Sequence, residues 1–354
     1  MKTTTVAGRT WHYSHCLGRL TAEHNESKWG RTGGYCYPMD VAAASDGILF
    51  VISRGFGYAR DEKEHDTYMR VGKTTIDEDH IGDFARGGFT WPVAIAIAGD
   101  GMVYCSDEHE NTISLFDPDA VVTYPEVGPG PNDREGWGVK GSEEGQLNGP
   151  SGLAFDANDD LYVTDSLNNR VQKFSKGGDF ILAFGRYGTG DGEFNRPWGI
   201  TVDGEGAVYV VDWGNHRVKK FSADGTYLMS FGGPGEGANS LSNPAGVAVD
   251  SDGDVYVTDW GNRRVQIYEP DGSVLAALYG DADKLSRAGE YNLARDPDSV
   301  KRLARRDSDV MSYLARFGRP VGIDIDEQDR IIITDGRGRL QIYRKDNAYA
   351  EPPI

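Results

Sequence analysis

The sequence predicts an all-β fold, a six-bladed β-propeller in a single domain. Three observations predict it: a unit that recurs six times, two-residue alternation inside each unit, and an abundance of turn residues. Three segments share one grammar, PSGLAFDANDDLYVTDSLNNRVQKF from Pro150, PWGITVDGEGAVYVVDWGNHRVKKF from Pro197 and PAGVAVDSDGDVYVTDWGNRRVQIY from Pro244. Weaker copies open at Pro38, Pro92 and Pro320. Each reads as strand, Asp/Gly turn, strand, Asn/Gly turn, strand, with apolar and β-branched residues at the period of a pleated sheet. The 47 Gly and 15 Pro among 354 residues supply the turns. A lone four-stranded blade leaves both faces bare, so the blades must stack around an axis.

In chain order, residues 1–36 are expected to give a closing strand and a rim loop. Blades are expected at 37–90, 91–148, 149–195, 196–242, 243–318 and 319–354. A fourth strand is legible at Phe180 to Gly185 and Tyr227 to Gly232. The last blade runs through Leu340-Gln341-Ile342-Tyr343 and leaves no room for its own fourth strand. Thr10 to Cys16, continued by Leu17-Gly18-Arg19, has the matching pattern and is expected to complete that blade and remove its open edge.

The opening prolines are spaced 54, 58, 47, 47 and 76 residues apart, so blades 1, 2 and 5 are enlarged. The extra length is read at Gly55 to Asp66, Gly128 to Asn148 and Asp281 to Phe317, with Thr21 to Tyr35 leading into blade 1. If strands alternate in direction, all four lie on one rim, the top, and form a lid. A helical insertion is expected between blades 5 and 6, because Asp296-Pro297-Asp298-Ser299 is a start signal ahead of Val300, Leu303, Ala304, Val310, Met311 and Leu314. Residues 281–319 hold nine Lys or Arg against seven Asp or Glu, while the rest of the chain carries −20. Such a helix either docks on an acidic rim by charge or clamps an anionic ligand.

The net charge of −18 and pI near 4.8 exclude nucleic acid as a partner, since phosphate backbones are held by Lys and Arg. The longest apolar run, Val93 to Ala98, cannot span a bilayer, and Met1 to Val6 has no leader pattern. Cys16, Cys36 and Cys105 form no CxxC pair and no disulfide framework. Together these read as a cytoplasmic protein with no membrane contact.

The repeat resembles the NHL family, whose units carry this Pro-x-Gly opening, the YVTD second strand and the Asn-x-Arg-Val third strand, over about residues 37–344. That resemblance implies the propeller and leaves the activity open. A more distant resemblance is to the peptidyl-hydroxyglycine amidating lyases, whose zinc histidines come directly after the opening proline. Here those slots hold Met39, Val93, Ser151, Trp198, Ala245 and Val321, so no zinc triad is implied. Ser53-Arg54-Gly55 is similar to that family's catalytic His-Arg-Gly segment. Asp40, where other blades have Gly, is placed as the lyases place a ligand of a structural calcium in the channel, and calcium takes hard oxygen donors. The plain alternative is that Arg54 and Asp40 pair with each other.

Two rings are expected to face the axis at the top. One is the residue after each opening proline, given above. The other comes after each second strand: Arg54, Glu108, Ser166, Trp213, Trp260 and Gly336. An aromatic arc would then face a charged one, as in a small-molecule pocket, unless the tryptophans before Gly-Asn are simply packed turn residues. The leading reading is a hydrolase or lyase acting on a small polar molecule in a lidded pocket. Arg54 would stabilise an anionic group, and Glu108, His24 or His65 would move protons. Met39, Ser151, Ser166, Trp198, Trp213 and Trp260 would line the substrate. The alternatives are a non-catalytic scaffold for a protein partner or a ligand-binding protein without chemistry. Asp107, Asp165, Asp212, Asp259 and Asp335 recur at second-strand ends and read as turn residues, as do His109 and His216. There is no GxSxG, P-loop or HExxH motif.

Overall fold

The computed structural model describes residues 3–18, 35, 37–54, 70–86, 89–119, 135–282, 284, 286–287, 289–290, 294 and 315–346. The chain first lays down β1 (Thr3–Val6) and β2 (Arg9–Gly18). Blade 1 is β3 (Pro38–Ala43), β4 (Ile48–Ser53), β5 (Arg70–Thr75) and β6 (His80–Arg86). Blade 2 is β7 (Pro92–Ile97), β8 (Val103–Asp107), β9 (Thr112–Phe116) and β10 (Glu135–Trp137). Blade 3 is β11 (Pro150–Phe155), β12 (Asp160–Asp165), β13 (Arg170–Ser175) and β14 (Phe180–Phe184). Blade 4 is β15 (Pro197–Val202), β16 (Val208–Asp212), β17 (Arg217–Phe221) and β18 (Tyr227–Gly232). Blade 5 is β19 (Pro244–Val249), β20 (Val255–Asp259), β21 (Arg264–Tyr268) and β22 (Val274–Leu278). Blade 6 is β23 (Pro320–Ile325), β24 (Arg330–Asp335) and β25 (Arg339–Asp346), completed by β2 and then β1.

All pairings within the blades are antiparallel, in sequence order from the axis outward. Every opening proline is the first residue of an inner strand, the one place in a sheet interior where a missing N–H does no harm. Second strands are buried along their length because blades cover both their faces. Outer strands alternate, and β14 and β18 leave Ile181 and Leu228 exposed. The core is therefore a set of apolar wedges between blades; Tyr162, Val171, Ile200 and Phe221, for example, fill the wedge between blades 3 and 4.

The N-terminal strand closes the ring as its pattern predicts. β2 pairs antiparallel with β25, Trp11 opposite Lys345 and Leu17 opposite Leu340, with a bulge between Tyr13 and His15. β1 adds a fifth strand outside it. The seam is bolted to blade 5. The Trp11 indole donates to the Tyr256 hydroxyl at 2.8 Å, and Lys345 Nζ lies 2.7, 2.8 and 2.8 Å from the carboxylates of Asp250, Asp252 and Asp254.

Around the axis one device recurs. The hydroxyl before the second-strand Asp accepts a hydrogen bond from its own inner strand and donates one to the next blade. Thr164 accepts from Gly152 N–H and donates to the Trp198 carbonyl, both at 2.6 Å; Thr258 does the same between Gly246 and Val321. Ser106 joins Ala94 to Ser151, and Thr334 joins Gly322 to Met39. In blades 3 to 5 glycine is required at the third inner-strand position because a Cβ on Gly152, Gly199 or Gly246 would strike the next blade's carbonyl. Blades 1 and 4 carry Ile52 and Val211 in place of the hydroxyl.

Two expectations are corrected. The helical insertion between blades 5 and 6 is overturned as an element: among the described residues the elements pass directly from β22 to β23, with only scattered helical residues at 287, 289–290, 294 and 315, and 300–314 lie outside those residues. The described ends of the segment pair with each other and with blade 6. Ala282 N–H donates to the Ala315 carbonyl at 3.2 Å and Phe317 N–H to the Tyr279 carbonyl at 3.0 Å, while Arg339 donates to the Arg316 carbonyl at 2.8 Å. These bonds anchor the described ends of the segment to each other and to blade 6 through contacts distant in sequence. The enlargement of blade 2 is also moved. Residues 138–149 form a connection of ordinary length, and the extra chain lies between Phe116 and Glu135, at the opposite rim from the other three.

Replacing Thr258 by valine should unpair the Gly246 N–H and the Val321 carbonyl while keeping the shape that Val211 already has in blade 4. A loss of roughly 2 kcal/mol in urea unfolding is expected. An unchanged midpoint would show that the stitch carries no stability.

A candidate active site at the mouth of the channel

The inner strands enclose a cavity of about 240 Å³ along the axis, whose wall includes Met39, Asp40, Val93, Trp198, Val321 and Asp324. The side chains on the wall are apolar apart from the two carboxyls and Thr201, strand backbone makes its surface largely polar, and among the described residues no Lys or Arg lines it. Asp40 stands at the inner-strand position that is glycine in blades 3 to 6. Its Oδ2 accepts the Ile95 N–H of blade 2 at 3.1 Å, so it ties blades 1 and 2 where Ile52 supplies no hydroxyl. Asp324 Oδ2 accepts the Ala43 N–H of blade 1 at 2.8 Å, the same tie one blade earlier. Burial pushes the Asp40 carboxyl up to about 8, with the nearby Asp324 adding to the rise. Burial pushes Asp324 up to about 6, with Asp326 adding.

Sequence reasoning misses Asp324, yet a signal for it exists. It occupies the fifth inner-strand position, which is Ala42, Ala96, Ala154, Thr201 and Ala248 in the other blades.

At the mouth, Arg54 and Glu108 come together across blades 1 and 2. Arg54 Nη2 donates to Glu108 Oε2 at 3.0 Å, and its Nε to the Pro92 carbonyl at 3.3 Å. The guanidinium also stands 5.2 Å from the Trp91 ring centroid. Both side chains remain partly exposed. Arg54 is thus not the partner of Asp40, whose carboxyl turns to the channel backbone.

The other sequence candidates are distributed around the same end of the ring. Met39 and Trp198 are half-buried in the channel wall. Ser151 and Ser166 are buried, 2.6 Å apart, with Ser166 also donating to the Pro197 carbonyl. Trp213 opens a 3-10 turn, Trp213–Asn215, on the top rim and is half-exposed. Trp260 holds the same place in blade 5, under the Arg319 guanidinium at 4.1 Å. His24 and His65 lie outside the described residues.

The repeated aspartates organise turns. Asp165 accepts Asn148 N–H at 2.6 Å, the Asn168 amide at 2.8 Å and Arg170 Nε at 2.8 Å, and Asp212 and Asp259 repeat the set. Asp107 collects the N–H groups of Thr90, Trp91, His109 and Glu110. His216 closes its turn with a left-handed backbone, and its Nδ1 accepts the Asn243 N–H at 3.0 Å. Glu108 differs from all of these in facing the mouth with an arginine. Among the described residues no three His, Cys, Asp or Glu side chains gather as a metal cluster, and no helix is long and apolar enough to cross a membrane.

The NHL repeat family matches residues 147–174, 194–221 and 241–268, one match in each of blades 3, 4 and 5. The chain is a six-bladed propeller whose blades 3, 4 and 5 carry NHL repeats. No curated protein matches it. Among solved structures, this NHL-repeat propeller is similar to a Bacteroides thetaiotaomicron protein of unknown function, with 16% identity, TM-score 0.61, and 96% of this chain and 76% of that one covered. It is also similar to a gluconolactonase from Xanthomonas campestris, with 13% identity, TM-score 0.58, and 95% and 90% covered. A third is virginiamycin B lyase from Staphylococcus aureus, with 13% identity, TM-score 0.53, and 95% and 99% covered. At these identities the likeness establishes the fold.

The raised Asp40 carboxyl sets a pH dependence. Folded, it keeps its proton to about pH 8; unfolded, it releases it at about pH 4. The stability it contributes is complete below the unfolded value and is lost as pH rises towards 8. Urea unfolding between about pH 4 and 9 should therefore show a decline that is shallower in Asp40→Asn; an identical slope in the variant would exclude Asp40 as its source.

Proposed function

We propose that the protein is an enzyme that cleaves a small polar molecule, by hydrolysis or elimination, at the mouth of the channel. The observation that carries this is the Arg54–Glu108 pair. It places a carboxylate and a guanidinium side by side, partly exposed, on a rim whose other second-strand carboxylates are buried in turns. Both reaction types need a group that moves a proton and a group that stabilises developing negative charge. Glu108 Oε1 is the proton acceptor in this reading, and the outer N–H donors of Arg54 meet the anionic oxygen. Trp198, Trp213 and Trp260 form the apolar side of the pocket, with Met39 below them. His24 and His65 belong to connections that enter the same rim and would supply a second proton mover. A lyase and a gluconolactonase share the fold, and bond cleavage of the proposed kind is what their names describe.

A structural calcium in the channel belongs to this reading. Asp40 and Asp324 are two desolvated carboxyls, no cationic side chain lines their cavity among the described residues, and the Met39 carbonyl stands where blade 1 meets blade 6. Hard oxygen donors of this kind fit calcium, which would offset the repulsion between the two carboxylates and stiffen the blade 6 to blade 1 seam. Millimolar calcium should raise the melting temperature of the wild type and leave Asp40→Asn unmoved; an equal response in both removes the site.

A second reading, a scaffold for a protein partner, is favoured by the exposure of Tyr37, Trp91 and Leu167 on the same rim. The two separate by kinetics. In a panel of small lactones, esters and virginiamycin B, Glu108→Gln and Arg54→Gln should each lower kcat about a hundredfold on the substrate that turns over. Unchanged turnover in both variants would end the assignment of the pair.

A further inference from the structure

We infer that the rim of blades 4 to 6 binds a small anion carried on a flat apolar body, a carboxylate or phosphate ester attached to a ring. This rests on the reading of the mouth as a ligand site and names the ligand's class. Four exposed arginines lie here, Arg196, Arg263, Arg316 and Arg319, and none has a carboxylate partner among the described residues. Arg196 and Arg319 immediately precede the opening prolines of blades 4 and 6. Arg263 closes the turn after the second strand of blade 5 with a left-handed backbone. The strand directions bring all three positions to the top rim.

Free guanidiniums are unexpected on a chain of net charge −18, and several arginines of the same blades are already engaged. Arg217, Arg264 and Arg339 are each held by a buried second-strand aspartate. Those aspartates are consequently unavailable to the rim. Glu193, on the connection into blade 4, is taken by Arg186 at 2.9 Å; Asp191 and Glu236 lie earlier on their connections than the residues before the prolines. Among the described residues, the rim of blades 4 to 6 thus keeps cationic groups uncompensated within a molecule that is acidic overall.

The arginines are also backed by rings. Arg319 lies 4.1 Å from the Trp260 centroid and Arg316 5.7 Å from Tyr279, with half-exposed Trp213 in the next blade. A guanidinium stacked on a ring keeps its edge N–H donors free, which suits an oxyanion with two oxygens in one plane. The half-exposed indole of Trp213 offers a surface for the ligand's own ring. Across the mouth, Arg54 is neutralised by Glu108, so the capacity for an anion lies opposite the proposed proton-moving pair.

The test uses two probes that share an aromatic body. 1-Anilinonaphthalene-8-sulfonate carries an anion, and N-phenyl-1-naphthylamine does not. Titrated into the full chain and monitored by energy transfer from tryptophan, the sulfonate should bind more tightly than the neutral probe, and salt should weaken it. Arg263→Gln combined with Arg319→Gln should cost about fivefold in sulfonate affinity, whereas Arg344→Gln on the last blade should cost nothing. Equal affinity for both probes, or full sulfonate affinity in the double variant, overturns the inference. Sulfonate binding that survives in Glu108→Gln while turnover is lost supports both readings. Turnover that survives in Glu108→Gln beside rim-dependent sulfonate binding removes the assigned pair and keeps the rim.

Discussion

Four of the six blade junctions hang on one contact, a hydroxyl that hydrogen-bonds to two inner strands at once. Thr164 and Thr258 each satisfy an N–H of their own blade and a carbonyl of the next, in a space where a glycine has cleared the way. Inner-strand backbone facing the axis has no further strand to pair with, so each group would otherwise be buried without a partner. The stitch answers that need and fixes the distance between blades, leaving the apolar wedges to supply the bulk of the burial energy.

Around blade 1 carboxyls replace or reinforce the stitch, and this is what gives the channel its chemistry. Ile52 cannot bridge to blade 2, and Asp40 does so instead. Asp324 adds a second such tie between blades 6 and 1. The two acids therefore sit on adjacent blades, and the Arg54–Glu108 pair joins blade 1 to blade 2 on the same arc. Blades 3 to 5 match the repeat most closely, and blades 4 and 5 contribute the tryptophans. The asymmetry of the site is thus the asymmetry of the repeat, with departures from the grammar on one arc and uncompensated cations on the other.

Much of this was legible because repeats expose their own exceptions. Six opening prolines, the Asp/Gly and Asn/Gly turns and the alternation define the blades, and the pattern of Thr10 to Cys16 defines the closure. Legibility ends where the grammar thins. β10 is only Glu135-Gly136-Trp137, with a glycine pressed against the Ile113 carbonyl, so its pattern is that of a loop and places the enlargement of blade 2 on the wrong rim. The spacing of Val300 to Leu314 suggests a helix, but those residues lie outside the described ones, and what is described of the connection is tied to blade 6, with Asp281 N–H donating to Gln341 and the Ala315 and Arg316 carbonyls accepting from Gln341 and Arg339, long-range contacts that periodicity does not record. Asp324 is hard to see because its departure falls in mid-strand, away from the proline that marks each blade and from the turn that ends it.

The closing strand carries an implication for how the ring is made. Trp11 pairs opposite Lys345, and the ammonium of Lys345 is gripped by the Asp250, Asp252 and Asp254 loop. During synthesis β2 emerges with β1 on one edge, and its other edge must wait for β25 until more than three hundred residues have been added behind it. Blades 3 to 5 can assemble locally in the meantime, whereas ring closure joins strands at the far ends of the described chain, the kind of pairing that loop closure makes slow. Any factor that shields that waiting segment, or any obstruction placed beside it, would act on the yield of finished rings rather than on their stability.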